Sequence, residues 1–129
     1  MGYYEDLKVW QKARDLAVRA HRVTKTRGFE SDPEIRDSIR RVAVDVACQI
    51  ADGSVRGSEK GALAAYFNAR GAIARLETLV EIAQAQGNID ESPRDAIRQD
   101  SETIGKMLSG LIKAHLNPEK KSKSSPETP

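Results

Sequence analysis

Apolar residues recur every third or fourth position in four stretches separated by short breaks, and this spacing constrains the chain more than any other feature. An α-helix turns about 100° per residue, so such spacing lays an apolar stripe along one helical face. From about Asp6 to Thr26, Val9, Trp10, Ala13, Leu16, Ala17, Ala20 and Val23 fall on one side. Lys8, Lys12, Asp15, Arg19 and Arg22 fall opposite, and Gly28 ends the stretch. Ser31 and Glu34 have the spacing of a capping box, and Pro33 suits a first helical position. A second helix is therefore expected from there to Gly53, with Ile35, Ile39, Val42, Val46 and Ile50 inward. Ser58 is placed to cap a third helix that reaches Gln86 and stops at Gly87. Ser92-Pro93 opens a fourth, with Ile97, Ile104, Met107, Leu108 and Leu111 inward, ending near Leu116.

Three short connections make neighbouring helices antiparallel. The expected fold is all-α, an antiparallel up-down-up-down four-helix bundle over residues 1–116. The 129 residues are enough for one modest core. Residues 117–129, NPEKKSKSSPETP, are rich in Lys, Ser and Pro and are expected to form a disordered tail. The second helix has a further non-polar face in Val44, Ala47, Cys48 and Ala51. The third carries Leu63 and Phe67 away from its main stripe of Ala69, Ile73, Leu76, Val80 and Ala83. A helix apolar on two faces must bury both, so Val44, Ala47, Cys48, Leu63 and Phe67 are the expected oligomer interface. Gly71, within the third helix, costs about 1 kcal/mol relative to Ala and reads as a site of close helix approach.

Catalytic constellations are nearly absent. His21 and His115 lie far apart, with no HExxH or Cys/His spacing, so no metal site is expected. Cys48 sits mid-helix among small apolar residues and reads as a buried, inert thiol. The segment from Gly53 to Gly61 fails the GxxxxGK[ST] spacing of a phosphate loop and follows a helix rather than a strand. Glu77 and Glu81 lie one turn apart, but no Glu-x-x-His partner accompanies them. The expectation is a protein that is not an enzyme and takes no cofactor. A single cysteine, no apolar run near the ~20 residues of a membrane span and no signal-like N-terminus point to the cytoplasm.

A net charge of +2 carries no argument by itself; its distribution does. Residues 1–75 hold 14 basic and 10 acidic side chains, whereas residues 76–116 hold 4 and 7. Between Leu16 and Phe29 stand Arg19, Arg22, Lys25 and Arg27 with no acid. Pairing helices about their connecting loops sets Arg19 and Arg22 level with Arg40 and Asp37. It also sets Arg70 level with Arg41, and Arg75 level with Arg36. The candidate nucleic-acid surface is thus Arg19, Arg22, Lys25, Arg36, Arg40, Arg41, Arg70 and Arg75. No aromatic residue lies among them to stack bases, so base-specific recognition of single strands is not expected. The competing reading makes these residues a solvated surface on a protein–protein assembly scaffold.

Three stretches carry a resemblance. They are Tyr4–Ala13 (YEDLKVWQKA), Ile39–Arg56 (IRRVAVDVACQIADGSVR) and Tyr66–Thr78 (YFNARGAIARLET). Together they resemble the bacterial four helix bundle protein family, also called the 23S rRNA intervening-sequence protein family. That family is related to the accessory variability determinant of diversity-generating retroelements. The resemblance implies a helical bundle assembled as a ring-like homopentamer, without catalytic activity. For the retroelement relatives it implies binding to a reverse transcriptase and to RNA or DNA through basic surfaces. The family usually shows Asn-Ile-Ala-Glu-Gly where this chain has Gln49 to Gly53. It usually has Ser at Asp45 and Ala72, and Glu at Arg75, so the polar contacts at these positions are redrawn here.

Overall fold

The computed structural model describes residues 4–117, so all of the expected tail over 117–129 except Asn117 lies outside the described residues. Four helices account for most of it: α1 (Lys8–Val23), α2 (Pro33–Ser54), α3 (Glu59–Gln86) and α4 (Glu91–Leu116). Short 3-10 turns precede α1 at Tyr4–Asp6 and join α1 to α2 at Arg27–Phe29. No strand occurs among the described residues. Each helix packs on the next, and α1 closes the arrangement against α4, while the diagonal pairs make no close backbone approach. Contacts across the helices run end to start: Arg40 of α2 reaches Thr24 just beyond α1, and Glu81 of α3 reaches Arg94 of α4. These are the relations of an up-down-up-down four-helix bundle.

The expected stripes supply the core. Leu16, Ile39, Ile50, Leu76, Ile97, Ile104 and Leu108 are almost completely shielded from solvent. Trp10 is different. It lies half-buried at the core's edge, tilted against Tyr4 with ring centres 5.1 Å apart, and the Arg14 guanidinium lies 5.4 Å from its ring centre. The indole is amphipathic, and that flank of α1 is only partly covered by α2.

Helix ends follow local chemistry with two departures. The Ser58 hydroxyl accepts from the Gly61 N–H at 3.0 Å, and Gly87 turns left-handed at φ 87° to close α3. The expected capping box at Ser31 and Glu34 does not form. Asp32 occupies the cap position, and its carboxylate accepts from the Asn88 side-chain amide at 2.8 Å instead of bonding its own helix. The fourth helix begins at Glu91, just ahead of the Ser92-Pro93 pair expected to open it, so Pro93 stands within its first turn.

Glycine placement also corrects the sequence reading. A Cβ on Gly71 would meet only the Arg75 guanidinium, at 3.7 Å, so Gly71 marks no close helix approach. The close approaches occur at Gly53, where a Cβ would fall 2.5 Å from the Tyr66 ring, and at Gly28, 2.1 Å from the Asn88 carbonyl oxygen. Asn88 is buried and donates to the Gly28 carbonyl as well as to Asp32, both at 2.8 Å. This amide locks the α1–α2 turn onto the α3–α4 turn.

Candidate nucleic-acid interface

The eight expected cations divide by what surrounds them. Arg19 is held by Asp100 of α4 at 2.8 Å, Arg36 by its neighbour Asp37 at 2.9 Å, and Arg75 by Asp45 of α2 at 3.3 Å. Arg40 donates to the Thr24 hydroxyl at 2.8 Å, and Arg41 reaches only the Ser38 hydroxyl at 3.5 Å. Arg22 and Lys25 form no ion pair among the described residues, and Arg27 beside them forms none either. A hydrogen bond from Arg36, with the fields of Arg40 and Arg41 added, holds the Asp37 carboxyl below the usual carboxylate range. Part of the positive charge at this end is thereby neutralised locally.

The register of α2 on α3 differs from the pairing drawn about the loop. Gly53 meets Tyr66 and Asp45 meets Arg75, so Arg75 lies about two and a half turns from the level of Arg36. The reason lies in the connection at Val55–Ser58. It does not reverse tightly, and the first turn of α3 packs against the end of α4, where Glu59 pairs with His115. Arg70 consequently faces α4, reaching the Ser109 hydroxyl at 3.5 Å, and does not join Arg41. Arg41 and Arg75 do border a common groove of about 530 Å³, with Asp45 and Cys48 between them. Asp45 and Arg75 thereby form a bridge between α2 and α3.

The free cations sit beside an apolar floor. A groove of about 750 Å³ between α1 and α2 is lined by Trp10, Ala17, Val18, Val44, Ala47 and Cys48, with Arg14, Arg22 and Lys25 along it. Cys48 is exposed rather than buried, because no described helix covers this side of α2. The five expected interface residues do not share one surface. Val44, Ala47 and Cys48 line this groove, whereas Phe67 lies on the outer side of α3 that leans toward α4. Leu63 packs partly buried against the core. Sequence reasoning missed Arg14, which its spacing of four from Trp10 could have revealed. It also missed Asn88, whose partners lie 56 and 60 residues away and leave no local signal.

Among the described residues no three His, Cys, Asp or Glu side chains gather where they could hold a metal ion. None of the described helices is long and apolar enough to cross a membrane. His21 bonds the Ala17 carbonyl of its own helix at 3.2 Å.

Fold and surface define an all-helical protein whose distinguishing feature is a cation-flanked apolar groove. The chain belongs to the 23S rRNA-intervening sequence protein family, whose sequence profile matches residues 5–110. No curated protein matches the sequence significantly.

Proposed function

We propose that this protein is a non-enzymatic, cytoplasmic, oligomeric accessory factor that binds nucleic acid, RNA in the first place. The observation that carries the reading is Arg22, Lys25 and Arg27 standing without carboxylate partners at one end of α1, in a chain whose family is named for 23S rRNA insertions. Lysine and arginine displace counterions from phosphates, giving strong, sequence-tolerant and salt-sensitive attachment. Self-association through Val44, Ala47 and Cys48, as the homopentamer of the resembled family, would repeat this cluster around a ring. The retroelement relatives name a reverse transcriptase as the class of protein partner.

The test is fluorescence anisotropy of the purified oligomer with short RNA and DNA across a salt series. The expected result is an affinity that falls linearly on logarithmic axes, and that drops about tenfold or more at low salt in Arg22→Glu/Lys25→Glu. Both side chains are exposed and unpaired, so the fold survives their reversal. Unchanged affinity in that variant removes the reading.

A homo-oligomeric scaffold without a nucleic-acid role is the second reading. It is favoured by the groove itself, where Val18, Val44 and Val55 stay 44%, 41% and 56% exposed in the single chain.

A further inference from the structure

The outer surface shared by α3 and α4 combines an exposed aromatic ring with cations that form no ion pair among the described residues. Phe67 is 43% exposed, and the Arg70 guanidinium lies 5.0 Å from its ring centre. Arg70 continues to the Ser109 hydroxyl of α4. On α4, Lys106 and Lys113 stand three before and four after Ser109, which places all three on one helical face. Both lysines are exposed and form no ion pair among the described residues. Of the nearby carboxylates, Glu102 turns to Arg98 at 3.8 Å, Glu59 pairs with His115, and Glu77 lies about two turns along α3 from Arg70. In the antiparallel α3–α4 pair the two lysines therefore flank the Phe67–Arg70 element, roughly 10 Å apart along the helix axis.

We infer that Phe67 and Arg70, flanked by Lys106 and Lys113, form a stacking platform for an unpaired base of single-stranded RNA or DNA. Proteins that hold single strands combine a cationic track with aromatic faces on which bases stack, and an arginine beside the ring adds cation–π attraction. A duplex keeps its bases stacked internally and offers this surface only phosphates. The platform therefore gives the molecule a preference for unpaired segments. It reverses the expectation that no aromatic accompanies the candidate cations, because Phe67 lies three residues before Arg70 and one helical turn brings them together. This inference rests on the nucleic-acid reading above and adds the class of strand that is bound.

The experiment compares oligo(U) RNA with a blunt RNA duplex, bound to the wild-type protein and to Phe67→Ala, Phe67→Tyr and Lys106→Gln/Lys113→Gln, with light scattering on each. Phe67→Ala is expected to weaken oligo(U) binding about tenfold or more, to leave duplex binding within about twofold, and to keep the oligomer mass. Phe67→Tyr restores oligo(U) affinity, and the double lysine variant flattens the oligo(U) salt slope by about one and a half. Equal loss for both RNAs, no loss for either, or a changed oligomer mass in Phe67→Ala overturns the platform, the last by placing Phe67 in a subunit contact. A wild-type protein that binds neither RNA at low salt removes the nucleic-acid reading itself.

Discussion

Two glycines in the bundle have opposite meanings, although both sit within helices. At Gly53 the α2 backbone runs against the Tyr66 ring, and an added methyl would sit 2.5 Å from it. Tyr66 is buried, with its hydroxyl pushed up by burial and then by the nearby Glu59 charge, so the ring has little room to yield. Gly53→Ala is expected to destabilise the fold by about 1–3 kcal/mol, the usual cost of overpacking. At Gly71 the same methyl meets open space beside Arg75. Gly71→Ala is expected to stabilise by about 0.5–1 kcal/mol, because helical glycine costs backbone entropy that alanine does not. Thermal denaturation followed by circular dichroism separates the two, and melting shifts of the same sign would refute the assignment. Cys48 makes the companion point: mid-helix among small residues it looks buried, yet no described helix covers its side of α2.

Between helices, α3 faces α4 with two acids of opposite character one turn apart. Glu81 accepts from Arg94 and Arg98, each at 2.7 Å, and the bond from Arg94 leads in holding its carboxyl below the usual range. Its contribution is present above the ordinary carboxylate pKa and is lost as pH falls through the lowered one. Glu77 has no such hydrogen bond, and burial pushes its carboxyl up against the counteracting field of Arg98. Its ionised form therefore opposes folding, and stability is recovered as pH falls through the raised pKa. Glu77→Gln is expected to raise the melting temperature at pH 7, and Glu81→Gln to lower it, each by a few degrees. Both differences vanish in acid, where the carboxyls are protonated like the amides. Differential scanning calorimetry at neutral and acid pH checks the pair; a difference that persists in acid points to packing rather than charge. Asn88 acts on the same scale, tying two interhelical turns together by one amide.

For the molecule as a whole, exposed apolar surface is what the proposed self-association would cover. Val44 and Cys48 form part of a groove too apolar to remain in water without cost, and burying valine there gains about 25 cal/mol per Å² of covered surface. Val44→Glu is expected to break the oligomer down toward the 14.2 kDa chain, with helicity unchanged. Multi-angle light scattering measures the mass. An unchanged mass in that variant would move the interface away from α2. The α1 cations and the Phe67 platform lie on opposite sides of the bundle, since α1–α2 and α3–α4 form its opposing faces.

Helix number, helix limits within a few residues, the core stripes and the cap at Ser58 were all legible in the sequence, because each depends on residues three or four apart. The family resemblance was legible too, in three contiguous stretches. The arrangement of charge was not. Whether Arg75 meets Asp45 depends on how far α3 slides along α2, and that is decided where Tyr66 settles against Gly53 and the first turn of α3 packs on the end of α4. Loop length alone cannot specify this slide. Arg36 has Asp37 beside it in the sequence, but Arg19 and Arg75 were indistinguishable there from Arg22 and Lys25, and only tertiary packing brought a carboxylate to those two.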